Sequence, residues 1–251
     1  MRLDKTITEK RYCMETDSNS VIKNWKGLEL RSNRPMNGRR EQAVMKLPIP
    51  QYRQATQFTC GPACLMMAMK FFQPNLRLTR ELEFDIWREA NLVESYGTSK
   101  EGLALAAARR GFHVYTLGGT LRHSFLDAIK DQISNIDWRV LELLYEDTKT
   151  KFRSKGLRNR SSRIDLSKLR QILLRSHVPI LLTSTLLFHK GEDLPHWVVV
   201  TGYGRDGWYV NNPLARTAHT KIGHEPLRSK LGYHGVRCAV VVCGPGTDEV
   251  S

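Results

Sequence analysis

The feature that most constrains the fold is an apolar segment that begins at a cysteine. Residues 60–72 read Cys-Gly-Pro-Ala-Cys-Leu-Met-Met-Ala-Met-Lys-Phe-Phe, with a single charged residue. Apolar side chains occupy most faces of the helix that this pattern predicts, so we expect the helix to be buried in the centre of a domain. Pro62 suits the first turn, where a backbone N–H has no partner within the helix, and Gly61 allows close backbone approach.

Cys60 lies at the start of this predicted helix, which makes its thiol a candidate nucleophile. The amides at a helix start carry partial positive charge and lower the pKa of a thiol placed there, and the thiolate is the form of cysteine that attacks. Free cysteine is also among the most buried residue types, so Cys60 taken alone is more often a packing residue. Its assignment therefore depends on partners elsewhere in the chain.

A second polar cluster lies far downstream, in a predicted β-hairpin. Residues 195–213 read as one strand, a Gly-Arg-Asp-Gly turn and a second strand. His196 lies where the hairpin begins and Asn212 where it ends, and both ends of an antiparallel pair lie at the same edge of a sheet. We therefore expect the two side chains to be close together. Taken singly, a strand-edge histidine and an Asn-Pro turn are commoner than catalytic residues.

Together, Cys60, His196 and Asn212 supply the three groups that nucleophilic catalysis by cysteine needs. A histidine takes the thiol proton and returns it to the leaving group, and a third polar side chain fixes the tautomer of the imidazole ring. Asn211 is the alternative to Asn212 in the third role. The combination predicts an enzyme with a nucleophilic thiol.

With these residues identified, the chain resembles the papain-fold cysteine peptidases related to the leader-processing (double-glycine) domains of bacteriocin exporters, especially their stand-alone cytosolic relatives. The resemblance covers roughly residues 46–245. It implies an α+β, papain-like fold with N-terminal helices packed on an antiparallel sheet. The matching residues are Gln54, Cys60-Gly61-Pro62-Ala63-Cys64, His196 followed by an aromatic residue and a valine run ending in Thr201-Gly202-Tyr203, and Asn212-Pro213.

The same resemblance implies roles for these residues. Gln54 lies six positions before Cys60, where the family places the glutamine whose side-chain amide helps to hold the oxyanion, with the Cys60 amide as second donor. Gln57 is the competing candidate. The family's usual third catalytic residue is an aspartate before proline, whereas this chain has Asn212, and papain itself uses asparagine. The implied reaction is cleavage of a peptide or amide bond through a thioester, and acyl or peptidyl transfer is the alternative.

The order of the predicted elements supports this fold class, because helices come first and most strands follow. Helices are predicted from Thr79 to about Asn91, from Ser99 to Gly111, over much of 123–154, and from Asp165 to Leu174. Strands are predicted near 44–49, 113–117, 178–185 and 236–243.

The domain boundaries and the compartment follow from composition. Residues 1–45 are basic and weakly periodic, which predicts a partly disordered extension before a peptidase domain at 46–245 and a short tail at 246–251. No stretch approaches the roughly 20 apolar residues of a membrane span, and no secretory signal is present. Five cysteines do not form a paired framework, and their spacing does not suit zinc. We expect a cytoplasmic protein without metal or other cofactor.

The net charge of +14 indicates an anionic partner. Residues 149–163 contain seven basic residues and no acidic residue, which favours docking of an acidic peptide or protein tail. A solvated loop or helix end is the alternative. Phe152 is the one aromatic residue there and no nucleic-acid motif is present, so nucleic acid is not the expected partner. The resemblance implies a glutamate ligase of the ATP-grasp type as pathway partner. A noncatalytic basic adaptor is the second class of function.

Overall fold

The computed structural model describes residues 44–91, 97–118 and 137–245. These residues form six α-helices and eight β-strands. The helices are α1 (Cys60–Phe72), α2 (Arg80–Ala90), α3 (Lys100–Arg109), α4 (Trp138–Ser154), α5 (Leu166–Leu174) and α6 (His224–Ser229). The strands are β1 (Met45–Lys46), β2 (Phe112–Gly118), β3 (Asn159–Arg160), β4 (Val178–Ser184), β5 (Pro195–Gly204), β6 (Gly207–Asn211), β7 (Thr220–Ile222) and β8 (Cys238–Pro245).

All eight strands belong to one sheet. Seven of them run in the order β3-β2-β8-β4-β5-β6-β7, and β1 pairs with β5. Every pairing is antiparallel except that of β2 with β3. The predicted α+β class with an antiparallel sheet is confirmed, and the pairing of β2 with β3 is the single exception among the described strands. The exception arises because the chain between β2 and β3 passes through α4, and parallel strands need such a crossover connection.

Helix α1 is the centre of the fold, as its composition predicted. Eleven of its thirteen residues are buried, all except Lys70 and Phe72. It packs against β5 on the sheet and against α2 and α3. Because apolar side chains cover nearly its whole circumference, α1 can lie between these layers without burying a charge, and its first residue is held rigidly.

Side-chain caps begin three of the other helices, α2, α3 and α5, where the sequence predicted them. Thr79 Oγ1 accepts from the N–H of Leu82 at the start of α2, and Ser99 Oγ accepts from the N–H of Gly102 at the start of α3. Asp165 caps α5 in the same way. These bonds satisfy amides that have no partner within their own helix. Helix α3 ends before Gly111, whose φ of +80° is unfavourable for other residues.

The predicted hairpin forms from β5 and β6. Gly204 pairs with Gly207, and the two-residue connection between them is Arg205-Asp206. β1 is shorter than the strand predicted at 44–49, because the N–H of Ile49 bonds back to the carbonyl of Leu47 and the chain turns there.

Several predictions fall partly or wholly outside the described residues. They include residues 1–43 of the N-terminal extension predicted at 1–45, the tail at 246–251 and the first part of the helical region at 123–154. Within the described ranges, no helix is both long enough and apolar enough to cross a membrane.

Candidate active site

Cys60 is the first residue of α1, and its side chain is 8% exposed. A compact turn leads into it, in which the hydroxyls of Thr56 and Thr59 lie 3.0 Å apart. Burial raises the pKa of the Cys60 thiol, while the backbone amides of Trp197, Gly61 and Cys60 itself act in the opposite direction. The sequence argument counted only the helix start and expected a lowered pKa. That expectation is wrong, because desolvation of the thiolate is the larger effect.

His196 and Asn212 meet where β5 begins and β6 ends, as the predicted hairpin indicated. His196 Nε2 lies 2.9 Å from Asn212 Oδ1, and both side chains are buried. The same oxygen accepts from the N–H of Leu214 at 3.0 Å, which identifies the atom as an acceptor. An acceptor opposite Nε2 requires Nε2 to carry the ring hydrogen. The neutral ring therefore has its free lone pair on Nδ1.

The environment of His196 favours the neutral ring. Burial lowers the pKa of His196 to about 4, the hydrogen bond with Asn212 opposes this, and the nearby His189 lowers it further. The ring of Phe188 stands edge-on to the imidazole, with 5.9 Å between ring centroids. At neutral pH the site therefore contains a neutral imidazole and a protonated thiol.

Trp197 connects Cys60 to His196. Its backbone amide interacts with the Cys60 sulfur, and it directly follows His196 in β5. Among the described contacts, no hydrogen bond joins the sulfur to the imidazole. The two groups nevertheless lie at one junction, where the start of α1 meets the start of β5. In unliganded enzymes, catalytic hydrogen bonds are often long and tighten when substrate binds.

The structure also distinguishes the two candidate glutamines. Gln54 is buried, whereas Gln57 is exposed. Gln54 Nε2 donates to the carbonyl of Thr56 at 2.5 Å, so its side chain folds toward the turn that leads into Cys60. A primary amide has two N–H donors, and one of them remains for another acceptor. Gln54 is thus the buried glutamine of the two, and its amide contacts the turn that precedes α1.

The two candidate asparagines have different surroundings. Asn211 Nδ2 donates to the carbonyls of Ile49 and Pro50, and Asn211 Oδ1 accepts from the N–H of His219. All these partners are backbone groups, so Asn211 holds two chain segments together. Asn212 is the asparagine that contacts His196.

Sequence reasoning missed two residues that hold this site, Gln51 and Glu83. Gln51 Nε2 donates to the carbonyl of Asn212 at 2.7 Å and to that of Ala215 at 2.9 Å. Glu83 accepts hydrogen bonds from the segment around Gln54. No local pattern marks either residue, because each acts on a segment distant in sequence.

Comparison with known proteins gives a family. The model of the Peptidase_C39 like family matches residues 49–227. No curated protein matches the chain.

Two solved structures are similar at low identity. One is a putative C39-like peptidase from Bacillus anthracis, with 12% identity, covering 80% of this chain and 97% of that one, at a TM-score of 0.47. The other is the peptidase domain of Streptococcus ComA, a bi-functional ABC transporter involved in a quorum-sensing pathway. It has 14% identity and covers 78% of this chain and 98% of that one, at a TM-score of 0.42.

The family model spans well over half of the chain and includes Gln54, Cys60, His196 and Asn212. Its span also contains the helix that begins at the cysteine and the hairpin of the sheet, which are the parts of the predicted papain-like α+β fold that carry these residues. The chain belongs to the Peptidase C39-like family.

Proposed function

We propose that this protein is a cysteine peptidase that cleaves a peptide or amide bond with Cys60, His196 and Asn212. The observation that carries the proposal is the 2.9 Å contact between His196 Nε2 and Asn212 Oδ1, beside a residue whose amide interacts with the Cys60 sulfur. An oriented histidine next to a thiol at a helix start is the arrangement that thiol nucleophiles require. Membership of a peptidase family supports the same reaction class.

In the proposed reaction, the Cys60 sulfur attacks the carbonyl carbon and its proton passes to His196 Nδ1. The C=O π electrons move to the oxygen, and this oxyanion is held by Gln54 Nε2 and the Cys60 amide. The C–N bond then breaks, His196 protonates the departing amine, and a thioester remains on Cys60. Water then attacks the thioester carbon and gives a proton to His196. The C–S bond breaks, the carboxylic acid leaves, and His196 returns the proton to the Cys60 sulfur.

The neutral resting pair determines how the thiol is activated. Burial disfavours both the thiolate and the imidazolium. Proton transfer from Cys60 to His196 therefore accompanies attack on the substrate, rather than preceding it. Since nucleophilic thiols act only when reduced, we place the reaction in the cytoplasm.

A basic surface at the edge of the sheet supports an acidic substrate. Lys149 pairs with Glu146, and Lys151 pairs with Asp147 at 2.6 Å. Four further cations are exposed and form no ion pair with any described residue. They are Arg153, Lys155, Arg158 and Arg163.

This surface suits an acidic peptide better than nucleic acid. Phe152 is buried, so no aromatic ring of this segment is available for base stacking. β3 lies four strand spacings from β5, roughly 19 Å, which about six extended residues span. We propose that acidic residues about six or more positions from the cut bond dock here. Acidic tails of the kind made by a glutamate ligase of the ATP-grasp type have this chemistry.

Cleavage of a cellular peptide mixture tests the proposed activity. The full chain is incubated with the mixture in H₂¹⁸O, beside Cys60→Ala and the control Cys238→Ala, which removes a different buried thiol. Hydrolysis predicts new peptide ends that contain ¹⁸O with the unaltered chain and Cys238→Ala, and none with Cys60→Ala. New ends without ¹⁸O that are joined to an amine indicate transfer. Peptides that bind but remain uncut overturn the proposal and favour an adaptor.

Salt dependence tests the acidic substrate separately. Peptides found to be cut are compared with variants in which distal Asp and Glu residues are replaced by Asn and Gln. We expect KM to rise with ionic strength for acidic peptides and to change little for neutral ones. Equal salt dependence for both would contradict docking at the basic surface and leave the peptidase proposal standing.

A further inference from the structure

Glu83 is a fully buried carboxylate. It lies on α2, and no Lys or Arg in the described part of the chain forms an ion pair with it. Burying a carboxylate is unfavourable unless hydrogen bonds replace those it made with water. The groups that donate to Glu83 therefore show which part of the molecule it holds.

Both of these donors come from the segment that carries Gln54. Tyr52 Oη donates to Glu83 Oε2 at 2.8 Å, and the N–H of Ala55 donates to Glu83 Oε1 at 2.9 Å. Burial and this hydrogen bond raise the pKa of Tyr52, so the phenol keeps its proton and remains a donor. One carboxylate oxygen thus binds Tyr52, which precedes Gln54, and the other binds Ala55, which follows it.

A separate contact holds Gln54 from the opposite direction. The backbone N–H of Gln54 donates to the carbonyl of Pro213 at 2.9 Å, and Pro213 directly follows Asn212. The Gln54 backbone is therefore held between α2 and the turn that follows β6. Its side-chain amide is restrained in turn by the carbonyl of Thr56.

We propose that Glu83 is a positioning residue that orients Gln54 to stabilise the oxyanion. The inference rests on the proposed function, because it assigns Gln54 to the attacked carbonyl oxygen. Hydrogen bonds to a carboxylate are about twice as strong as neutral ones, so two of them restrict the Gln54 segment effectively. A donor that is already in place needs no reorganisation when charge develops on the oxygen.

A peptide aldehyde separates oxyanion stabilisation from thiol reactivity. With acetyl-glycyl-glycinal, the Cys60 sulfur bonds to the carbonyl carbon, the C=O π bond breaks, and the thiol proton neutralises the oxygen or rests on His196. This adduct needs the oxyanion donors. Iodoacetamide instead alkylates the sulfur by displacing iodide and needs none of them. A loss of aldehyde binding without a loss of Cys60 alkylation therefore reports on Gln54.

The variants are Glu83→Gln, Tyr52→Phe and Gln54→Ala, with Asp85→Asn as the control. Asp85 is an exposed carboxylate on the same helix, so its variant makes the same change of charge. We expect Gln54→Ala to weaken aldehyde binding about 100-fold and Glu83→Gln about 10-fold. Tyr52→Phe should act in the same direction as Glu83→Gln, and Asp85→Asn should have no effect. Alkylation of Cys60 should keep its rate in every variant.

A double-mutant cycle decides whether Glu83 acts through Gln54. The loss caused by Glu83→Gln should disappear when Gln54 is already alanine. An equal loss in both backgrounds would overturn the inference, as would a parallel loss of Cys60 alkylation, since both indicate general disruption. If Glu83→Gln does not fold, the same cycle is measured with Tyr52→Phe.

Failure of the proposed function has a different signature. In that case, iodoacetamide would alkylate Cys60 of the unaltered protein at the same rate with and without His196. If that rate depends on His196 but aldehyde binding is insensitive to both Gln54 and Glu83, only the positioning inference and the oxyanion role of Gln54 are overturned.

Discussion

The thiol of Cys64 donates a hydrogen bond to the backbone carbonyl of Trp197 at 3.2 Å. The N–H of Trp197 interacts with the sulfur of Cys60, one helical turn earlier. Both backbone polar groups of Trp197 lie past the end of β6, whose last residue, Asn211, pairs with Val199. Two thiols therefore satisfy backbone groups that the sheet leaves unpaired, and they hold the start of α1 against the residue that follows His196.

Replacing Cys64 should test this contact. Cys64→Ala leaves the buried Trp197 carbonyl without its donor, and we expect the free energy of unfolding to fall by about 1–3 kcal/mol. Cys64→Ser keeps a donor and should be the more stable of the two in urea unfolding. Cys238 is buried and has no described hydrogen-bond partner, so the same two substitutions there should show the opposite order. Equal stability of Cys64→Ala and Cys64→Ser would contradict the contact.

Gly61 should tolerate no side chain. A Cβ at this position would lie 2.2 Å from Thr98 Oγ1 and 3.1 Å from Leu103 Cδ1. We expect Gly61→Ala to lower the melting temperature and to displace the start of α1, reducing Cys60 alkylation; overpacking of this kind costs about 1–3 kcal/mol. Thr98→Ala removes the nearest atom, the Thr98 hydroxyl oxygen, which has no hydrogen-bond partner among the described residues. The double variant should therefore recover part of the lost stability, and a failure to recover any would refute this explanation.

The stability of the protein should depend on His196 at acidic pH. Its pKa is about 4 in the folded protein against 6.5 when unperturbed. Between these values the unfolded chain binds a proton that the folded protein excludes, so the free energy of unfolding falls as pH decreases from 6.5 toward 4. At pH 4.5 the excluded proton lowers the free energy of unfolding by about 2 kcal/mol. Urea unfolding at pH 7 and 4.5 should show a smaller decrease for His196→Gln, and identical decreases would be inconsistent with a buried neutral ring.

Asn212→Asp should shift the pH dependence of catalysis. A carboxylate beside His196 stabilises the imidazolium and raises its pKa by about 1–3 units. His196 is then protonated at higher pH, so the midpoint of the acid limb of the kcat/KM profile should shift from about pH 4 to a higher pH. An unchanged profile would indicate that His196 is not the base.

Asn211→Asp serves as the contrast to this variant. Asn211 Nδ2 donates to the carbonyls of Ile49 and Pro50, and a carboxylate would repel both. We expect this variant to lose stability by about 1–3 kcal/mol, measured by urea unfolding, without the shift in the kcat/KM profile.

Local patterns predicted much of the fold and the candidate site. The apolar composition of 60–72 predicted a buried helix, and Thr79, Ser99 and Asp165 predicted where three other helices begin. The short turn between β5 and β6 predicted that His196 and Asn212 would meet. Each of these signals depends on residues close in sequence, where backbone geometry limits the outcomes. The parallel pairing of β3 depends on a partner distant in sequence and was not predicted. The early end of β1 comes from a turn at Leu47 that the apolar pattern of 44–49 does not show.

The sequence by itself determined the buried helix, its cysteine at the first position, and a hairpin that brings an imidazole to a carboxamide. The tertiary structure decided which glutamine is buried and which asparagine contacts His196, and it placed Glu83 and Gln51 against segments far away in the chain. It also decided the direction in which both pKa values shift, because desolvation depends on what packs around a group. Burial raises the pKa of Cys60 despite the helix start and lowers the pKa of His196. Spacing along the chain shows neither effect, since both arise only when helices and sheet pack together and exclude water from these side chains.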